Sequence, residues 1–263
     1  VAASLAPVLE VIAALLGPDG CPWDKQQTPE TLCDYVIEEG FELVEAIRAG
    51  DAKAAAEELG DLFFLLLFIA KRYEERGEFT LEEALAANAA KMIRRHPHVF
   101  ADTTFADQNE MLKNWERIKR QEKQENSDQV APGVFESLPK GLPPLLRAYR
   151  IHSKAARFGF TWASDQDLET QLAAEWSEWE EALATENTTR QEQEFGDYLF
   201  TLVEYGRRKS LKANAALDRT NNKFLKRFSI MEQLARSRGQ DLATLDLEAM
   251  NLLWDEAKRS EKF

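Results

Sequence analysis

Glu39 and Glu42 stand three residues apart, and so do Glu58 and Asp61. On a helix, that spacing sets each pair of carboxylates on one face. Two antiparallel helices carrying such pairs can turn four carboxylates towards one another. An isolated pair of this kind reads first as a solvated acidic face. Here Asp61 leads directly into Leu62-Phe63-Phe64-Leu65-Leu66-Leu67, too apolar for a surface, so these acids lie at the edge of a core. Gathered carboxylates repel unless a cation is present, and an all-oxygen set selects a hard ion, Mg2+ or Mn2+. A di-iron bundle also collects acids, but it uses Glu-x-x-His. None of His96, His98 or His152 has an acid three residues before it.

The same pattern recurs 136 residues on, as Glu175, Glu178, Glu194 and Asp197. Gly60 and Gly196 occupy matching places within it, where close approach of a helix or ligand would explain a glycine. Three more segments repeat: Lys91 to Arg95 with Lys223 to Arg227, Trp115 to Arg120 with Trp254 to Arg259, and Gly20 to Trp23 with Gly159 to Trp162. Their offsets of 132 and 139 imply insertions in loops. The chain therefore reads as two copies of one unit, residues 1–122 and 143–263, joined by a linker over 123–142 rich in Gln, Pro and charge.

The basic and aromatic repeats add further chemistry. Lys91 and Arg95 are i, i+4, as are Lys223 and Arg227, and such pairs can hold phosphate oxygens beside a metal. Equally, they are cationic last turns of helices. Trp115 with Lys119, and Trp254 with Lys258, offer an aromatic plane beside an ammonium; the competing reading is a tryptophan wedged into a core. Trp176 and Trp179 flank Glu178 in the second unit alone, and packing explains them.

Helices must position all of this. Apolar residues at Leu32, Tyr35, Val36, Leu43 and Ile47 predict a helix from Thr31 to Arg48, closed by Gly50-Asp51. A second helix spans Ala52 to Arg76. Thr80-Leu81-Glu82-Glu83 is a capping box opening a third, which runs to Arg95 before the break at His96-Pro97. No strand alternation stands out, so the expected fold is all-α, with four or so helices per unit.

With 33 Lys and Arg against 46 Asp and Glu, the formal charge of −13 argues against a nucleic-acid partner. Two cysteines are too few for a disulfide framework, which suits a cytoplasmic protein. The longest apolar run, Leu62 to Ala70, is about half of the ~20 residues a membrane span needs, so no membrane is expected. Nor do the first residues resemble a secretory signal.

Glu38-Glu39-x-x-Glu42 followed by Glu58-x-x-Asp61 resembles the signature of the MazG-type nucleoside triphosphate pyrophosphohydrolases. Gly20-Cys21-Pro22-Trp23-Asp24-Lys25 and Arg94-Arg95-His96-Pro97-His98-Val99-Phe100 look like the long, two-domain form. The resemblance implies an all-α homodimer, bundles completed across the subunit interface, and Mg2+-dependent hydrolysis of a (d)NTP to the monophosphate and pyrophosphate. The implied metal ligands are Glu39, Glu42, Glu58 and Asp61 in the first unit, and Glu175, Glu178, Glu194 and Asp197 in the second. Glu38 is an extra leading carboxylate, replaced by Ala174 in the second copy. Water would attack the α-phosphorus, with Glu38 or Glu39 in one site and Glu175 in the other taking its proton, and Lys223 and Arg227 neutralising developing charge. Lys91, Arg95, Trp115, Lys119, Trp254 and Lys258 would bind the substrate. Two other readings stand beside this one: a regulatory nucleotide- or alarmone-binding protein with silent sites, and a helical scaffold with inert acidic faces.

Overall fold

Each helix in the computed structural model, which describes residues 5–125 and 133–260, begins and ends for a local reason. In the first unit, α1 (Ala6–Leu16) and α2 (Pro22–Gln26) both carry a proline in the first turn, Pro7 and Pro22, where its missing N–H costs nothing. Next come α3 (Cys33–Ala49) and α4 (Ala52–Glu75). Gly50 joins them with φ 72°, a left-handed turn, and Asp51 accepts from the N–H groups of Lys53 and Ala54 at 3.0 Å. The capping box at Thr80 and Glu83 opens α5 (Leu81–Arg95) as the sequence predicts. Pro97 then starts the one-turn α6 (Pro97–Phe100), and α7 (Gln108–Glu125) follows.

The second unit repeats the plan with α8 (Pro144–Arg157), α9 (Asp165–Leu183), α10 (Thr188–Arg208), α11 (Ala213–Ser237), a 3-10 turn at Leu242–Thr244 and α12 (Leu247–Ser260). The structure divides between Lys119 and Arg120, inside α7. Helix therefore continues into the first three residues of the expected linker, 123–125. Linker residues 126–132 lie outside the described part, and from 133 to 142 the chain turns. Lys154 holds this stretch by donating to Ser137 Oγ at 2.9 Å. Among the described residues there is no strand, and five helices per unit exceed ten residues, one more than expected.

Both units are built on a helical hairpin, α3–α4 in the first and α9–α10 in the second, on which another helix packs: α1 on α4, and α8 on α10. Ile12, Leu32, Leu67 and Phe68 form the first core. At the place in α10 that matches Phe68, the second unit buries Glu204, 1% exposed. The carboxylate accepts from Arg207 Nε and Nη2 at 2.6 and 2.8 Å and from Thr161 Oγ1 at 3.2 Å, and it lies 3.6 Å from His152 Nδ1. His152 Nε2 meets the Phe200 carbonyl at 3.0 Å. Burial pushes the imidazole below its ordinary pKa; the Glu204 charge pulls the other way, but Arg207 already answers that charge.

Removing Glu204 strands the Arg207 guanidinium, so Glu204→Ala should cost about 3–5 kcal/mol and lower the second unit's unfolding midpoint in denaturant. A histidine depressed in the folded state is stabilising while neutral. That stability is present above about pH 6.5 and is lost as pH falls through the lowered value. Melting curves recorded from pH 7.5 to 5 should therefore fall more steeply for the native chain than for His152→Gln.

Candidate metal centre

The hairpins set the acids. α3 brings Glu39, half-buried, and Glu42, exposed, against Glu58 of α4, and one oxygen from each lies within 4.8 Å of the others. Partial burial first, then the charges of Glu42 and Asp61, push the Glu39 carboxyl above its usual range, while a hydrogen bond with Glu58 opposes them. Glu58 is raised too, by desolvation and then by Glu42 and Glu39. Asp61 adds its repulsion to both but stays outside the close group, and Glu38 adds a smaller one to Glu39.

In the second hairpin the close group is Glu175, Glu194 and Asp197, again within 4.8 Å, with Glu178 outside it. Glu175 is held more firmly than its counterpart. Gln171 Nε2 donates to it at 2.9 Å and Thr201 Oγ1 at 3.4 Å, while Arg190 Nε sits 3.8 Å from Glu194. Sequence reasoning passed over these supports. Their signal was helical spacing: Gln171 is i−4 from Glu175, and Thr201 is i+4 from Asp197. Three convergent carboxylates, two of them raised by desolvation and then by mutual repulsion in the first group, are the donor set that suits a hard dication.

The remaining predicted residues are spread over other helices. Lys91 and Arg95 stand on α5, which packs on α4. Lys223 and Arg227 stand on α11, whose main partners are α8 and α12, and α9 with its Glu175 is not among them. Trp115 of α7 lies under Lys119, whose Nζ is 5.6 Å from the ring centre. Trp254 packs on the apolar group of Met231, Ala235 and Leu253, and its ring meets Phe224, the neighbour of Lys223, at 5.0 Å. Lys258 pairs with Asp255 at 2.6 Å. Trp176 and Trp179 pack on Tyr198 and Phe195, at 5.4 and 4.9 Å. The close approach expected at Gly60 and Gly196 does not occur within the chain: a Cβ at each would meet nothing within 4 Å.

Residues 27–100 match the MazG nucleotide pyrophosphohydrolase domain. Over 257 residues the chain is 36% identical to the nucleoside triphosphate pyrophosphohydrolase of Escherichia coli, covering 97% of each. It is also 36% identical, over 97% of its length and 96% of the relative, to the nucleoside triphosphate pyrophosphohydrolase/pyrophosphatase MazG of Thermotoga maritima. A protein of Bacillus subtilis, YabN, is 41% identical over 96% of this chain and 51% of its own length.

A carboxyl raised in the folded state stabilises below its ordinary value, and that stability is lost as pH rises through the raised one. Around pH 7 the first group is thus a source of strain. In EDTA, Glu58→Gln should raise the melting temperature at pH 7 and have little effect near pH 4. The same variant should shrink the rise that Mg2+ gives the native chain, about 2.7 kcal/mol for a site at 100 times its Kd. An unchanged Mg2+ response would remove the first group from consideration.

Proposed function

The chain belongs to the MazG nucleotide pyrophosphohydrolase family, and from that premise we propose that the two carboxylate groups are the places where it hydrolyses nucleoside triphosphates to the monophosphate and pyrophosphate. The observation that carries this reading is the convergence of three carboxylates in each hairpin, two of them at matching positions, Glu39 with Glu175 and Glu58 with Glu194. Magnesium, or manganese, suits both groups. Glu39, Glu42 and Glu58 would hold it in the first unit, with Asp61 near, and Glu175, Glu194 and Asp197 in the second, with Glu178 near. Such an ion supplies positive charge for the phosphate oxygens.

The chain's own residues do the rest. Water attacks the α-phosphorus, its oxygen forms the new P–O bond, and the bond from the α-phosphorus to the bridging oxygen breaks as pyrophosphate leaves. The proton passes to a carboxylate not fully committed to the cation: Glu38 or Glu39 in the first unit, Glu175 in the second. Lys223 and Arg227 neutralise the leaving group, with Lys91 and Arg95 as their first-unit counterparts. Trp254 and Lys258, and Trp115 and Lys119, take other parts of the substrate. The second unit leads in turnover, supported by Gln171 and Thr201 steadying Glu175, although Ala174 leaves it without the extra carboxylate.

The working form is a homodimer in the cytoplasm. Ile37, Phe41 and Val44 lie about 140–200° around α3 from Glu39, and all are exposed, Phe41 by 59%. Leu59, Phe63 and Leu66 continue that surface on α4, and Trp176, Phe195 and Leu202 form its second-unit counterpart. A second copy would cover these faces, and Gly60 and Gly196, with nothing near them in one chain, would admit its helices. Among the described residues no helix is long and apolar enough to cross a membrane.

With (d)NTP and Mg2+, Asp197→Ala should reduce pyrophosphate release about 100-fold or more, and Glu58→Gln should have a smaller effect. Unaltered release by the Asp197 and Glu58 double variant would end the assignment. Light scattering should give a mass near twice 30.0 kDa for the native chain, and Phe41→Asp with Phe63→Asp should lower it.

A further inference from the structure

The two units close the corner before the tryptophan helix in different ways. In the second unit α11 runs unbroken to Ser237, and the corner with α12 fills with Met231, Ala235 and Leu253, against which Leu234, Leu242 and Leu245 pack. In the first unit Pro97 breaks the chain after α5, and an open pocket of about 450 Å³ lies between α6 and α7. Its walls combine apolar Phe105 and Met111 with polar His98, Thr104, Asp107 and Gln108. The rings of His98 and Phe105 meet edge to face at 5.5 Å.

Three features restrict what such a cavity accepts. It has no Lys or Arg in its lining, so it does not suit a phosphate. One oxygen of Asp107 accepts from the Glu110 N–H at 2.8 Å, which leaves the other for a donor from outside. Finally, His98 Nδ1 is buried with no hydrogen-bond partner, a state that costs about 1–3 kcal/mol in general. A half-turn of the ring about χ2 would exchange that nitrogen with a carbon. A flat, uncharged ring with a donor at its edge fits all three: Phe105 and Met111 as apolar walls, Asp107 for an amino group, His98 and Gln108 for ring nitrogens.

We infer that this first-unit cavity binds a purine base carrying an exocyclic amino group, adenine or guanine. The inference rests on the nucleotide chemistry proposed above, and it names residues that the carboxylate groups do not use. The base belongs either to the triphosphate substrate or to a separate purine nucleotide.

Nucleosides separate this pocket from the metal groups, because they carry no phosphate. Calorimetric titration of the full chain in EDTA should give one site per chain for adenosine or guanosine, and binding at least about tenfold weaker for uridine. Asparagine caps a helix as aspartate does but offers a donor in place of the charge. Asp107→Asn should therefore weaken purine binding about tenfold with the melting temperature unchanged, and His98→Ala should weaken it too. Glu58→Gln should bind as the native chain does. The idea is overturned if neither purine nucleoside binds, if uridine binds equally, or if the Asp107 and His98 variants bind normally. A raised KM for ATP or GTP in Asp107→Asn, with kcat kept, assigns the base to the substrate, and an unchanged KM assigns it to a separate nucleotide. Pyrophosphate release by the native chain reads the proposed function independently of either result.

Discussion

Mutual repulsion among carboxylates is the constraint on which this protein turns. Glu39, Glu42 and Glu58 are held within 4.8 Å by two helices that a two-residue connection, Gly50 and Asp51, forces to run side by side. A flexible loop would let such charges drift apart. A helical hairpin does not, because each acid is fixed to a turn of one of two helices packed side by side. Desolvation first, and then that enforced closeness, push the Glu39 and Glu58 carboxyls above their usual range. They also make the hairpin receptive: whatever cation enters relieves repulsion that the fold has already imposed, so its binding energy is not spent on gathering the ligands.

The same hairpin must serve two surfaces. Helical period places the acids on one side of α3 and α4, and Ile37, Phe41, Val44 and Phe63 on the other. An acidic face that suits a hydrated ion and an exposed apolar face thus share one hairpin. In the proposed dimer this accounts for Gly60 and Gly196 in helix interiors where nothing in the chain needs them. Their spacing sets them on the apolar side, where alanine would keep another helix farther away.

Much of this was legible in residue order because it is written in short-range spacing. The i, i+3 acids, the Gly50-Asp51 junction and the Thr80–Glu83 capping box each depend on neighbours within a turn, and the structure has them where the pattern implies. Two properties were not legible. Which three of four acids converge depends on the rotation of one helix against its partner, which separates Asp61 and Glu178 from their groups in different ways. The burial of Glu204 was hidden because nothing near it in sequence announces its partners. Thr161 and His152 arrive from other elements, and only Arg207 is within a turn.

Duplication makes these differences interpretable, since both copies face the same packing problem. At one position the first unit spends an apolar Phe68 and the second a charged Glu204, tied to Arg207, His152 and Thr161. At the corner before the tryptophan helix the choice is reversed: Met231 and Leu253 in the second unit, a cavity with His98 and Asp107 in the first. Stability alone would favour the apolar solution in both places, because a buried charge gains little over a well-packed side chain and an unpartnered polar atom is a net cost. The Glu204 network is fully partnered, so it has an internal account: it locks α8, α10 and the 158–162 loop in one arrangement beneath the second carboxylate group. The His98 corner has no such internal account. Asp107 caps α7 through the Glu110 N–H, but His98 Nδ1 has no partner among the described residues, and the copy that does without them shows that the fold can be built either way. What keeps them must therefore come from outside the chain.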